Sequence, residues 1–453
     1  MKELIDSQHS YFRAGNTLSY HFRIAQLKSL EKALKEAEPE FYAASIADFG
    51  KSEFDTYSSE LALLYADIRE AIKKLRYWMA PENVRTNLLN FPAKSEVIKE
   101  PLGVSLVIGA WNYPYLLSLG PVIAAIAAGC TAVIKPSELT ANSSKAMADM
   151  IERHFNPAYL AVVEGGVPET TELLAQRFDK IFFTGSPRVG KIVYQAAARH
   201  LTPVTLELGG KSPAIIAPSA HLGMAIKRTV WGKFLNAGQT CIAPDYLLVH
   251  RSIADKVVAG ILAEIEREQF RLNNNNYPRI IDRTHYERLM SLIDQEQVRC
   301  GGTGIPDERI ILPTVLYPAN WEQAAMQEEI FGPILPILVY DDFDSIIDKI
   351  KAGERPLSAY LFSKKKAERK QFLDQLHFGG GGVNEAVMHI TNPNLPFGGT
   401  GSSGVGNYHG KAGFDAFSHQ KSVLSKPSWF ELPLKYAPRS SVKLNWVKRF
   451  FRF

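Results

Sequence analysis

The chain has 453 residues, 46% of them hydrophobic, which exceeds one ordinary core and points to two or three domains with a large buried interior. Its 52 Lys and Arg against 47 Asp and Glu leave a net charge of only +5 with the signs interspersed, so no basic stripe is present to hold nucleic acid. Three cysteines, Cys130, Cys241 and Cys300, are too few and too scattered for a disulfide framework or a metal site, and fit a reducing, cytoplasmic compartment.

The opening residues Met1 to Ser7 are charged and lack an apolar core, so they read as the start of a helix rather than a secretory signal. From about Ser10 to Tyr77 apolar positions such as Leu27, Leu30 and Leu34 recur at three and four residues, predicting helices that cover a sheet. From Pro101 onward short apolar runs alternate with helical stretches. Strands are predicted at Val104–Ile108, Ala132–Ile134 and Ala161–Val163, with helices near Ser118–Ala128 and Ser143–His154 between them. The apolar stretch Pro121 to Ile134 falls short of the roughly 20 residues of a membrane span and reads as a buried helix entering a strand. After Glu207 a second series follows, with strands near Ala214–Ile216, Tyr246–Val249, Ile334–Val339 and Ala359–Phe362. The expected fold class is α/β, with two open doubly wound parallel-sheet domains. Asn273–Asn276 reads as a loop.

Two glycine-rich stretches mimic cofactor motifs without their context. Gly399 to Gly404 fits the letters of a dinucleotide fingerprint but follows Asn392-Pro-Asn-Leu-Pro396 rather than a strand. Gly185 to Lys191 matches a triphosphate loop until Ile192 stands where a hydroxyl would hold magnesium, which argues against ATP. The same stretch lies between a predicted strand, Ile181–Phe183, and a predicted helix, Val189–Ala198. Its turn would present a helix N-terminus to a pyrophosphate.

Cys241, in Asn236-Ala-Gly-Gln-Thr-Cys-Ile-Ala-Pro-Asp245, is a candidate nucleophile, and Glu207, in Leu206-Glu-Leu-Gly-Gly210, a candidate base. A working thiol needs a polarising environment, since a free cysteine is only a few per cent ionised at neutral pH. Ala237, Gly238 and Thr240 are small enough to let backbone amides approach the sulfur. Read alone, Cys241 is equally well a packed, inert thiol.

Further motifs stand in order: Trp111-Asn112-Tyr113-Pro114, Val133-Ile-Lys135-Pro-Ser-Glu138, Phe183-Thr184-Gly185-Ser186, Glu328-Glu329-Ile-Phe331-Gly-Pro333 and Pro396-Phe397-Gly-Gly399. With them the chain closely resembles the aldehyde dehydrogenase superfamily from about Ser7 to about Lys426, and within it the class 3 branch. The resemblance implies oxidation of aldehydes to carboxylic acids. Cys241 would form a thiohemiacetal and then a thioester, Asn112 would stabilise the oxyanion and Glu207 would activate the hydrolytic water. NAD is the implied cofactor, with NADP possible. Lys135 and Glu138 would meet the adenosine ribose, Thr184, Gly185, Ser186 and Gly190 would form the nucleotide turn, and Glu329 and Phe331 would hold the nicotinamide end. The Glu138 carboxylate should repel the extra phosphate of NADP.

The same resemblance implies residues 1–80 and 101–207 as the NAD-binding domain and 208–395 as the catalytic domain. Residues 81–100 and 396–426 would form a small β element bridging a homodimer, with Glu96–Glu100 and Ser418–Leu424 as strands. Tyr113, Tyr115, Trp231 and Phe397 would line an apolar tunnel for medium- or long-chain aliphatic or aromatic aldehydes, or else serve as core aromatics. Glu385 after Asn384 and Cys130 depart from the family pattern. Three alternatives are an acylating dehydrogenase, which has no need of a water-activating base, a cofactor-independent cysteine hydrolase, and a catalytically silent binding protein. In the tail, residues 427–453, a helix would gather Trp446, Val447, Phe450 and Phe453 opposite Lys448, Arg449 and Arg452. That pattern suits an anionic membrane surface, or docking on the body or a partner subunit near the substrate entrance.

Overall fold

The computed structural model describes residues 1–270 and 274–451, with Phe450 as backbone only. Asn273 of the expected loop, and the Phe450, Arg452 and Phe453 side chains of the expected tail face, lie outside the described residues. Parallel-strand sheets covered by helices make up the body, an α/β fold as expected.

A six-stranded sheet orders its strands as Gly404–Val405, Val204–Glu207, Lys180–Thr184, Val104–Ile108, Thr131–Lys135 and Leu160–Val162. All neighbours are parallel except the two-residue edge strand Gly404–Val405, which runs antiparallel to Val204–Glu207. The chain starts at the central strand Val104–Ile108, builds two strands to one side and then two to the other. The order therefore reverses between Val104–Ile108 and Lys180–Thr184, where such sheets bind ligands beyond the strands' carboxyl ends. The register brings Ile108 beside Lys135 and Phe183, and Thr184 beside Glu207, so one edge of the sheet gathers four strand ends.

A seven-stranded sheet runs Val298–Cys300, Thr314–Leu316, Ile334–Tyr340, Tyr246–His250, Pro213–Ile216, Ser358–Phe362 and Gly380–Val383, antiparallel only at Val298–Cys300. A third sheet is antiparallel. Lys94–Pro101 pairs with Glu82–Val84 on one side and along its whole length with Ser418–Ser425 on the other.

The predicted strands of both large sheets appear within a residue or two of their expected bounds. Three helix starts come earlier than the apolar pattern indicates: the helix expected from Ser143 begins at Ala141, and two others start early for reasons of capping. The helix expected near Ser118 begins at Pro114, whose fixed φ suits the first helical position. The helix expected at Val189 begins at Pro187, because Ser186 accepts a hydrogen bond from the Val189 amide at 3.4 Å. The leading helical region contains Lys2–Arg13, Tyr20–Phe49, Glu53–Thr56 and Ala62–Met79, the last two joined by a five-residue π-helical turn, Tyr57–Leu61.

Candidate active site

A cleft of about 970 Å³ opens along the carboxyl edge of the six-stranded sheet, with Asn112, Thr184, Gly185, Ser186, Glu207, Cys241, Glu329 and Phe331 among its lining residues. These come from five separate stretches of chain, and the fold brings them to one wall.

The segment before Cys241 is held in a strained shape. Asn236, Ala237 and Gly238 have φ of 54°, 54° and 74°, three consecutive left-handed residues of which only the glycine adopts that form freely. A side chain at Gly238 would strike the carbonyl oxygen of Gly332, so this turn is pressed against the end of the Glu328–Pro333 motif. Hydrogen bonds offset the strain. Asn236 Nδ2 donates to the Asn112 carbonyl at 3.0 Å and the Gln239 carbonyl at 3.2 Å, and Gln239 Oε1 accepts from the Ile281 amide at 3.0 Å. Asn112 Nδ2 donates to the Gln239 carbonyl at 3.1 Å, which leaves its second N–H uncommitted. The Tyr113 hydroxyl shares a hydrogen bond of 2.6 Å with Thr240 Oγ1, one residue before the cysteine.

Electrostatically the site is acidic and dry. Glu207 is 3% exposed, and neither carboxyl oxygen has a hydrogen-bond partner. Burial alone pushes its carboxyl well above the usual range. Burial also lifts the Glu329 carboxyl to about 8, aided by Asp245. The Cys241 thiol is pushed up to about 12, first by burial and then by Glu329 and Glu207. These effects favour the neutral thiol at Cys241, which is half-buried and lines the cleft.

The opposite wall fits a dinucleotide. The helix Pro187–Ala198 points its N-terminus at the cleft, Lys191 and Tyr194 of its first turns line it, and the buried Thr184 hydroxyl has no partner. Trp111 stands edge-on to Phe331 at 5.3 Å and to His285 at 5.5 Å, making an aromatic wall next to Glu329. Phe331 itself has a φ of 50°, set by anchors on either side of it. Lys211 Nζ donates to Asp245 at 2.5 Å, to the Ala325 carbonyl at 2.9 Å and to the Glu328 carbonyl at 2.8 Å. The Ile330 amide donates to Asp245 at 2.9 Å, and Arg288 to Glu328 at 2.9 Å and the Ile330 carbonyl at 2.6 Å. A Cβ at Gly209 would fall on the Glu329 carboxylate, so the second glycine-bearing motif makes room for the acid.

Several expected positions lie elsewhere. Gly190 does not line the cleft; its missing side chain admits Leu208 against the helix, so it is a packing glycine. Lys135 is buried with Nζ on the Pro136 carbonyl at 2.6 Å and on Glu138 at 3.9 Å; neither residue lines the cleft, and Glu138 is half-exposed at the carboxyl end of its strand. Tyr115 cannot face a substrate tunnel. It is fully buried, stacked on Phe41 at 4.1 Å with its hydroxyl on the Phe41 carbonyl. Phe397 is 5% exposed between Tyr408 and His409, and neither it, Tyr113 nor Trp231 lines the cleft. Lys211, Asp245, His285 and Arg288 were not singled out from the sequence. Asp245 closes the motif that holds Cys241 and Lys211 directly follows the one that holds Glu207, but nothing local marks the other two.

The family model described as "Aldehyde dehydrogenase family" matches residues 1–423. The chain is 45% identical over 98% of its length, and 97% of the relative's, to a Staphylococcus aureus protein named 4,4'-diaponeurosporen-aldehyde dehydrogenase. It is 41% identical, over 94% of its length and 95% of the relative's, to a Canis lupus familiaris protein named "Aldehyde dehydrogenase, dimeric NADP-preferring". The solved "Substrate bound state of Staphylococcus Aureus AldH" superposes with a TM-score of 0.97 at 43% identity, covering 100% of this chain and 99% of that one.

Glu207 makes stability pH-dependent. In the unfolded chain its carboxyl ionises near ~4.3, whereas in the fold it keeps its proton far above that, so unfolding releases a proton and stability falls as pH climbs. Glu207→Gln removes this penalty. The Tm of the variant minus that of the wild type, by scanning calorimetry, is expected to grow from about pH 5 to about pH 9, each unit being worth up to ~1.4 kcal/mol. A difference flat in pH contradicts the buried, protonated carboxyl.

Proposed function

The chain belongs to the aldehyde dehydrogenase family and oxidises aldehydes to carboxylic acids with NAD(P), and from that premise we propose that Cys241, Glu207 and Asn112 carry the chemistry. The observation that supports this most is the Glu207 carboxyl, buried, partnerless and opening on the same cleft as the thiol. The Cys241 thiol gives up its proton to water in the cleft as its sulfur adds to the carbonyl carbon: the sulfur–carbon bond forms, the S–H bond breaks and negative charge passes to the oxygen. The free N–H of Asn112 and the Cys241 backbone amide receive that charge, each such donor being worth ~2.7–4 kcal/mol. NAD(P), when bound, supplies the hydride acceptor that leaves a thioester on Cys241. Glu207, once it has released its own proton through the cleft, takes a proton from water, and the resulting hydroxide displaces the thiolate, which is reprotonated, and releases the acid. A carboxyl raised by burial is a stronger base for this step than a solvated one.

Thr184, Gly185, Ser186, Glu329 and Phe331 are the residues we assign to the dinucleotide, with Lys135 and Glu138 at its open adenosine end and Gly190 as structural support. On this reading residues 1–80 and 101–207 serve the cofactor and 208–395 the reaction. Charge repulsion from Glu138 favours NAD over NADP. The Tyr113 hydroxyl bonds Thr240 and the Tyr360 hydroxyl bonds the Ile242 carbonyl, which brings aromatic rings to both residues flanking Cys241, and the Staphylococcus aureus relative is named for 4,4'-diaponeurosporen-aldehyde. Both support a hydrophobic aldehyde.

Stopped-flow kinetics test the assignment. With Glu207→Gln, about one NADH per site is expected in a burst, followed by turnover reduced ~10²–10⁴-fold. The wild type should show higher kcat/KM for longer aldehydes and for NAD than NADP. Loss of the burst, or undiminished turnover, contradicts the role of Glu207.

A homodimer bridged by the antiparallel sheet and a membrane-facing tail complete the proposal. The printed name of the dog relative includes "dimeric". No helix among the described residues is long and apolar enough to cross a membrane. The tail helix Ser441–Phe450 leaves Val442, Leu444 and Trp446 more than half exposed, beside the exposed Lys448 and Arg449. Anionic vesicles should pellet the full chain but not a chain ending at residue 439, both having dimer mass by light scattering. Equal pelleting removes the tail reading, and a monomer mass removes the dimer.

A further inference from the structure

An ion pair in the helical layer lies outside the chemistry described above. Lys51 Nζ and Glu60 Oε1 stand 2.6 Å apart with side chains 1% and 0% exposed. Lys51 follows Gly50, the left-handed residue (φ 71°) that ends the helix Tyr20–Phe49. Glu60 sits in the π-helical turn Tyr57–Leu61, and an inserted π turn of this kind is uncommon and concentrated at functional places.

Both members of the pair reach toward the active-site turn. The second oxygen of Glu60 accepts from the backbone amides of Tyr115 at 2.9 Å and Leu116 at 3.2 Å, the opening amides of the helix Pro114–Ala128. Tyr113, the residue before that helix, offers no side-chain cap, so the carboxylate from a distant segment fills the role and meets the positive end of the helix dipole. Lys51 Nζ lies 4.3 Å from the centre of the Tyr113 ring, whose hydroxyl is tied to Thr240 beside Cys241. Asn112, one residue earlier, is tied to Gln239. From one buried pair, two short chains of contact end at the oxyanion donor and at the neighbour of the nucleophile.

We propose that Lys51 and Glu60 are positioning residues for aldehyde oxidation: together they fix the turn Asn112–Leu116 so that the Asn112 amide points where the oxyanion forms. This rests on the assignment of Asn112 as that donor. Stability alone does not account for the pair, because a buried salt bridge is often no better than an apolar pair of the same volume. An apolar pair would leave two helix amides without an acceptor and the Tyr113 face without a cation.

The test is a double-mutant cycle between the pair and Asn112. Lys51→Met and Glu60→Gln are each expected to lower kcat/KM for aldehyde by on the order of tenfold or more, while NAD affinity, read by tryptophan fluorescence, stays within about twofold. In an Asn112→Ala background the same substitutions should cost less than about twofold, because the group they position is gone. Lys51→Arg, which keeps the charge, should recover most of the loss. Glu60→Gln preserves shape and carries the cycle should Lys51→Met fail to fold. Equal factors in both backgrounds, or a lower Tm with kcat/KM intact, overturn the proposal. Full activity in Asn112→Ala overturns the donor assignment, and the positioning role with it, and so separates the two failures.

Discussion

A carboxyl group buried without a partner is the constraint around which the site is arranged. An unsatisfied polar group in an interior costs about 1–3 kcal/mol, and an ionised one far more, so such a group normally finds a hydrogen bond or is replaced. Glu207 does neither. It is fixed at the end of a strand hydrogen-bonded on both sides, by Lys180–Thr184 and by Gly404–Val405, and it lines the cleft. The fold thus holds a carboxyl of raised proton affinity against the cleft that Cys241 also lines.

The same dryness shapes the thiol. Cys241 is not pre-ionised; burial and two nearby carboxyl groups hold it neutral. On the proposed assignment reactivity comes from geometry at the moment of attack, from the Asn112 amide and the strained turn before Cys241, rather than from a standing thiolate. The left-handed run Asn236–Gly238 and the left-handed Phe331 belong to this arrangement. Each is held by a web of side-chain to backbone hydrogen bonds, from Asn236 and Gln239 on one side and from Lys211, Asp245 and Arg288 on the other.

Much of the architecture was legible in the sequence because burial on both faces makes parallel strands continuous apolar runs: Val104–Ile108 and Ile334–Tyr340 are of this kind. Gly380–Val383 was invisible because its side chains carry no pattern, its glycines instead allowing backbone to approach backbone. At the site, Cys241, Glu207 and Asn112 stood out through motifs. For Gly190 and Tyr115 a motif gives neighbourhood in sequence and not direction in space: one packs on Leu208 and the other on Phe41. Arg288, His285 and the pair Lys51–Glu60 act across tens or hundreds of positions of chain, and no local signal encodes such contacts.

On the proposed assignment the substrate passes through a covalent bond to Cys241 and is released by Glu207. Intact-protein and peptide mass spectrometry of Glu207→Gln, acid-quenched after mixing with aldehyde and NAD, measures this directly. A mass increase equal to the acyl group, confined to the peptide containing Cys241, is expected. An unmodified Cys241 while NADH is being formed, or an adduct on Cys130 or Cys300 instead, would contradict it.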